Sequence, residues 1–119
     1  MNSDQINQIL SKGEGKRIEY KESKNALPSD LYDSIVSLAN TEGGTVILGA
    51  DNDGNTTGIN PENTVQFISD IATALNSPDC VSPSLFLAPE SIEHTDVNII
   101  IIDVHRSSVL HNHAGRIYW

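Results

Sequence analysis

The sequence predicts an α+β domain, with two main helices, a short N-terminal helix and a mixed sheet of about five to six strands. Three observations lead there. Apolar side chains recur at helical spacing over residues 31–39 and again over 65–75. Two apolar runs rich in β-branched residues, Thr45–Gly49 and Val97–His105, read as strands buried on both faces, the second holding four consecutive isoleucines at 99–102. Gly-Gly, Asp-Gly and Asn-Pro pairs separate these segments where helix ends and turns need them.

Asp4 to Leu10 forms the short helix, capped by Ser3 or Asp4, with Ile6, Ile9 and Leu10 on one face. Ser11 to Lys16 is a loop. Arg17 to Lys21 reads as a strand in which Ile18 and Tyr20 face one side while Arg17, Glu19 and Lys21 face the other. A carboxylate therefore stands between two cations. A charge-balanced, solvated face accounts for that spacing without any function.

Pro28-Ser29-Asp30 opens the first long helix, with Ser29 as its cap and Asp30 and Asp33 at the positive end of its dipole. Leu31, Ile35, Leu38 and Ala39 make the core stripe, and the helix ends at Asn40 or Thr41. Gly43 supplies the positive φ that such an end favours, and Gly44 lets the chain turn at once into the strand from Thr45. Asp53-Gly54 signals a tight hairpin turn into a further strand. Gly49 and Gly58, in or beside strands, predict close approach of another backbone or of a ligand.

Asn60-Pro61-Glu62 starts the second long helix with Asn60 as cap. Val65, Ile68, Ile71, Ala72 and Leu75 form its stripe, and Asn76-Ser77-Pro78 ends it. Ser84 to His94 reads as a strand containing a Leu-Phe-Leu run, Thr95-Asp96 as a turn, and Val97 to His105 as the central strand. Gly115 to Trp119 begins another strand. Residues 1–119 are expected to be one domain, 1–12 a helical lead and 13–119 the core, cut from the N-terminal part of a longer polypeptide.

With 119 residues the chain has room for one domain with a modest core. No apolar run approaches the roughly 20 residues a bilayer span requires, and Met-Asn-Ser-Asp-Gln lacks the order of a secretory signal. A cytoplasmic location and no membrane partner are the expectation. Cys80 is the only cysteine, which excludes an intrachain disulfide.

The net charge of −9 is unevenly spread. Lys12, Lys16, Arg17, Lys21 and Lys24 are five of the seven basic residues, whereas residues 25–105 hold twelve acids and no Lys or Arg. This argues against binding nucleic acid by electrostatics alone. Phosphate contacts fall to Lys16, Arg17, Lys21 and Lys24, with help from Arg106 and Arg116.

Two motifs carry a resemblance. The first is Glu14-x-x-x-x-Glu19-Tyr20-Lys21-x-Ser23; the second is Ala39-Asn40-Thr41-x-Gly43-Gly44, an apolar strand, Gly49-x-Asp51 and Gly54-x-x-x-Gly58. Together, in that order and with the closing Gly115-Arg116-Ile117-Tyr118, the chain resembles the Schlafen-type AlbA-like domain over roughly residues 10–119. That domain is described as DNA-binding, at the N-terminus of bacterial transcriptional regulators and of RecG-related helicase-like proteins. The resemblance implies a DNA- or RNA-binding module followed by a C-terminal domain.

In some Schlafen proteins the domain is an endoribonuclease that uses three carboxylates and a divalent metal. Carried over by position, these are Glu14, Glu19 and Asp51, with Lys21 facing phosphate. The chemistry is coherent, since Mg²⁺ or Mn²⁺ prefers carboxylate oxygens and retains water as a source of nucleophile. Asp53 is an alternative ligand. Nuclease members pair two modules into a basic cradle, so a single acidic module calls for a homodimer, a basic C-terminal domain or neutralisation by metal.

Three readings follow, headed by a DNA-binding module of a regulator or helicase-related protein. The second is a metal-dependent endoribonuclease, and the third an oligomerisation module without a ligand. Other motifs lead nowhere. Asp51-x-Asp53-x-Asn55 with Glu62 imitates a calcium loop, but Thr56 stands where Gly is needed and no helix precedes it. Gly43-Gly44 lacks the following Lys-Ser/Thr of a phosphate loop. His105, His111 and His113 have no acid or thiol at ligand spacing, and Cys80 has no basic neighbour in sequence.

Overall fold

The computed structural model describes Asp4, residues 6–8 and residues 18–119. In chain order the elements are β1 (Ile18–Lys21), α1 (Leu31–Asn40), β2 (Gly44–Leu48), a 3-10 turn (Pro61–Asn63), α2 (Thr64–Leu75), β3 (Val81–Ser82), β4 (Glu90–His94), β5 (Val97–Val104), β6 (Asn112–His113) and β7 (Arg116–Ile117). Asp4 and residues 6–8 are helical. The α+β class stands, with the strands divided between a four-stranded sheet, β1-β2-β5-β4, and a three-stranded one, β3-β6-β7. The larger sheet is mixed: β1 runs parallel to β2, and β5 is antiparallel to both β2 and β4.

The isoleucine run explains how this sheet is held. Side chains alternate across a strand, so Ile100 and Ile102 join Val46 and Leu48 under Leu31, Ile35, Ile71 and Leu75 of the two helices. Ile99 and Ile101 join Ile47, Ile18 and Tyr20 on the other face, where Ile6 covers them. All four isoleucines are buried. β5 thus contributes buried isoleucines to both layers, each worth about 1.5–3 kcal/mol when taken out of water.

The local signals that hold are those at the helix ends. Gly43 takes φ +76° and donates its N–H to Leu38 O at 2.8 Å, which closes α1. Asn60 accepts Glu62 N–H at 3.2 Å and Pro61 follows it, as an N-cap with Pro at the next position should. Thr95 and Asp96, both at positive φ, make the tight turn from β4 to β5.

Four expectations change. At α1 it is Asp30, not Ser29, that occupies the cap position, and its carboxylate turns to Lys21 instead of the helix N–H groups. The stripe of α2 is rotated: Thr64, Phe67, Ile71 and Leu75 are buried while Val65 is 80% exposed. Starting the helix from the 3-10 turn sets its phase, and Phe67 has more apolar area to bury than Val65. Leu85–Leu87 is not strand; Leu85 N–H donates to Leu75 O and closes the end of α2, leaving β4 to start at Glu90. After Gly54 there are two isolated bridges, Ala50 to Thr56 and Ile59 to Asn98, in place of a hairpin strand, because the Asp51 carboxylate captures the turn. Among the described residues no helix is long and apolar enough to cross a membrane.

Candidate nucleic-acid interface

β1 lies at one edge of the four-stranded sheet, with Ile18 opposite Thr45 and Lys21 opposite Leu48. The N–H groups of Gly49 and Ala50 both donate to Lys21 O, so the chain leaving β2 folds around the end of β1. Ile18 and Tyr20 face the inner layer, which places Glu19 and Lys21 together on the opposite face.

Lys21 is held by carboxylates. Its Nζ stands 3.0 Å from Asp30 Oδ1 and 3.8 Å from Glu19 Oε2, and its side chain is 12% exposed. The strand thereby positions the cation and partly neutralises it. Lys24 differs: it is exposed, and among the described residues its ammonium meets no carboxylate. Its backbone O accepts Asn60 N–H at 2.9 Å, fixing the segment after β1 against the start of the 3-10 turn.

Asp51 serves its own loop. Its carboxylate accepts the N–H groups of Asp53 (2.9 Å) and Asn55 (3.0 Å), and the Asn55 amide at 3.3 Å. These donors, with the Asn55 N–H foremost, hold it below the usual carboxylate range. Gly54 completes the turn at φ +83°. Of the implied metal ligands, Glu19 therefore faces Lys21 and Asp51 is engaged by its turn. Glu14 lies outside the described residues, as do Lys16 and Arg17. Among the described residues no three His, Cys, Asp or Glu side chains gather as a metal group. Arg116 sits on β7, opposite His113 in the smaller sheet.

The sequence matches the Schlafen AlbA_2 family over residues 14–119, nearly the whole chain. The chain belongs to the Schlafen AlbA_2 family. No curated protein matches it. Among solved structures this AlbA_2 domain is similar to the N-terminal domain of a protein from Nitrosomonas europaea described as ATP-dependent DNA helicase RecG-related. The TM-score is 0.66 at 19% identity, covering 89% of this chain and 74% of that one. A Corynebacterium diphtheriae protein is similar with TM-score 0.64 and 16% identity; the match covers 98% of this chain but spans 27% of that one. At these identities the likeness is one of fold.

Two features of the AlbA_2 domain were not legible as a site. Asn40 Oδ1 accepts His111 N–H at 2.8 Å, while its Nδ2 donates to His111 O at 2.9 Å and Tyr118 O at 2.8 Å. The Asn of the Ala39-Asn40-Thr41 motif thus fastens the C-terminal segment to the end of α1. His111 is buried. Its Nδ1–H donates to Pro83 O, and its Nε2 shares a hydrogen bond with the Ser107 hydroxyl, both at 2.6 Å. His113 bonds Asp33 at 2.5 Å beside the rings of Tyr32 and Tyr118. The close spacing of the histidines was the signal, but their hydrogen-bond partners are spread over α1, the loop before β4 and the segment after β5.

Proposed function

We propose that this AlbA_2 domain is a nucleic-acid-binding module, with DNA as its foremost partner, inside a longer regulator or helicase-related protein. The observation that carries the reading is the placement of charge. Five cations lie within residues 12–24 of the sequence, Lys21 on edge strand β1 and Lys24 just after it, and no other Lys or Arg occurs before Arg106. Basic groups along one sheet edge supply phosphate contacts, which give salt-dependent affinity. An otherwise acidic surface then confines the polyanion to that edge.

The test is fluorescence anisotropy of labelled duplex DNA, single-stranded DNA and RNA over a range of salt. Binding is expected to weaken as salt rises, and charge reversal at Lys16 and Lys24 to lower both the affinity and the salt slope. Absence of binding to all three would overturn the reading in favour of the oligomerisation module, which light scattering would then reveal as a homodimer or larger.

The second reading is a divalent-metal ribonuclease with Glu14, Glu19 and Asp51 as ligands of Mg²⁺ or Mn²⁺. The adjacency of Glu19 and Lys21 favours it, because a metal ligand and a phosphate-facing cation would share one strand face. It requires Asp51 to exchange its backbone donors for the ion. Cleavage of labelled RNA with Mn²⁺, abolished by EDTA and by Glu19→Ala, is its expected signature.

A further inference from the structure

Beyond the end of β1 the molecule has a cleft of about 350 Å³, within the usual range for a small-ligand site of roughly 300–1,000 Å³. Lys24, Thr57, Ile59, Asp96, Val97 and Asn98 are among its lining residues. Three chain segments make its walls, and each is tied to another. Asn60 N–H donates to Lys24 O at 2.9 Å, Ile59 N–H donates to Asn98 O at 2.8 Å, and the hydroxyls of Thr56 and Thr95 meet at 2.7 Å. Gly58 lets the first wall approach the second: a Cβ there would stand 3.0 Å from Val97 Cβ. The cleft is therefore preformed, and binding does not have to order its walls.

Its chemistry is that of an open recognition site. Among the described residues the Lys24 ammonium, the Asp96 carboxylate and the Asn98 amide make no side-chain hydrogen bond or ion pair, so all are available to a ligand. Pro61, which is exposed, and Val97, which is half-buried, supply an apolar wall between them. A cation, a flat apolar surface, an amide and an acceptor-only carboxylate match the parts of one nucleotide. The phosphate goes to Lys24, the base lies against Pro61 and Val97, and the base edge meets Asn98 and Asp96.

We propose that this cleft binds one unpaired nucleotide of a single strand, and that Asp96 selects bases carrying an exocyclic amino group. The proposal rests on the nucleic-acid reading above and names what part of the ligand the fold inspects. A paired base keeps its edge inside the stack, so only an unpaired one enters. The carboxylate only accepts: it takes the N4 amino group of cytosine and repels the O4 carbonyl that thymine presents at the same place.

The decisive comparison uses oligocytidylate and oligothymidylate DNA of equal length, which keeps ring size and charge constant. Wild-type protein is expected to bind the cytosine strand about fivefold more tightly, the range of one modest hydrogen bond. Asp96→Asn removes the repulsion of O4 and supplies a donor, so the ratio falls to about one, with thymine binding improved. Asn tolerates the φ of +63° at this turn, so the variant keeps its fold, which a melting curve checks. Lys24→Ala is expected to weaken both strands alike. Equal wild-type affinity for the two strands, with salt-dependent binding retained, overturns the cleft proposal and leaves the phosphate interface standing. Loss of binding to every strand overturns both.

Discussion

The side chain of Asn40 and the backbone of His111, seventy-one residues apart in sequence, form a closed pair of hydrogen bonds: Oδ1 accepts the His111 N–H at 2.8 Å and Nδ2 donates to the His111 carbonyl at 2.9 Å. A third bond runs from Nδ2 to Tyr118 O. No other amide in the described residues holds two distant backbone segments in this way. The smaller sheet is fastened to α1 through it.

Asn40→Ala leaves a partly buried N–H and two carbonyls without their partner. Each unsatisfied group costs about 1–3 kcal/mol when water does not reach it, so a loss of about 2–4 kcal/mol is expected. The urea midpoint should fall with the slope unchanged. Asn40→Asp keeps the acceptor but turns an acceptor-only carboxylate oxygen towards both carbonyls, and should cost at least as much as Asn40→Ala.

Gly43→Ala should be worse than its size suggests. The residue has φ +76°, and an added Cβ would stand 2.7 Å from Val104 O and 2.8 Å from Arg106 N. Both neighbours are backbone. The left-handed conformation alone costs about 1–2 kcal/mol for an L side chain, and the clash adds to it. A loss of about 3 kcal/mol or more in thermal or urea unfolding is the expectation, large enough to impair folding at 37 °C in a small domain.

Phe67 and Val65 test which face of α2 is inside. Phe67→Ala empties a buried position and should cost about 3–4 kcal/mol. Val65→Ala changes a side chain that is 80% exposed and should stay within about 0.5 kcal/mol. Reversed effects would mean that the helix is rotated by a turn's fraction from its place here.

Burial pushes the Tyr32 hydroxyl up to about 12, with the charges of Cys80 and Asp70 adding to the same direction. The folded value lies above the ordinary one of 10.0. Stability from this group is thus intact below pH 10 and is lost as pH rises through 10 towards 12. A Tyr32→Phe variant should show a shallower alkaline decline and should lose a late step from the phenolate absorbance of the wild-type protein. Burial also raises the Cys80 thiol, so its alkylation at neutral pH should be slower than that of a free thiol.

The periodic parts of the fold were legible because burial dictates them. Four isoleucines in a row have only one economical place, the middle of a sheet covered on both faces, and β5 takes it. Gly43, Asn60 and Thr95-Asp96 were legible because their conformations are local. The phase of α2 was not, since Val65 and Phe67 both suit an apolar stripe and only the 3-10 turn decides between them. Leu85–Leu87 looked like strand because apolar runs suit strands, yet its first residue closes a helix instead.

The site was legible in its residue types and less so in their connections. Glu19 and Lys21 share a face as alternation requires. That Lys21 meets Asp30 depends on how α1 returns to β1, and that Asp51 is drawn into its own turn depends on competition between side-chain and strand bonding. The cleft beside Lys24 joins residues from three separate stretches, and no motif spells it.

The pairing of Gly44 with Val104 carries a consequence for biosynthesis. During translation β2 leaves the ribosome long before its antiparallel neighbour exists, with only β1 to pair with, and two strands alone are marginal in water. The nascent chain must therefore hold an apolar, β-prone segment unpaired until the isoleucines of β5 arrive. Completion of the sheet is a single late event that commits both layers at once, and a chain arrested before residue 97 would be a client for chaperones instead of a smaller stable domain.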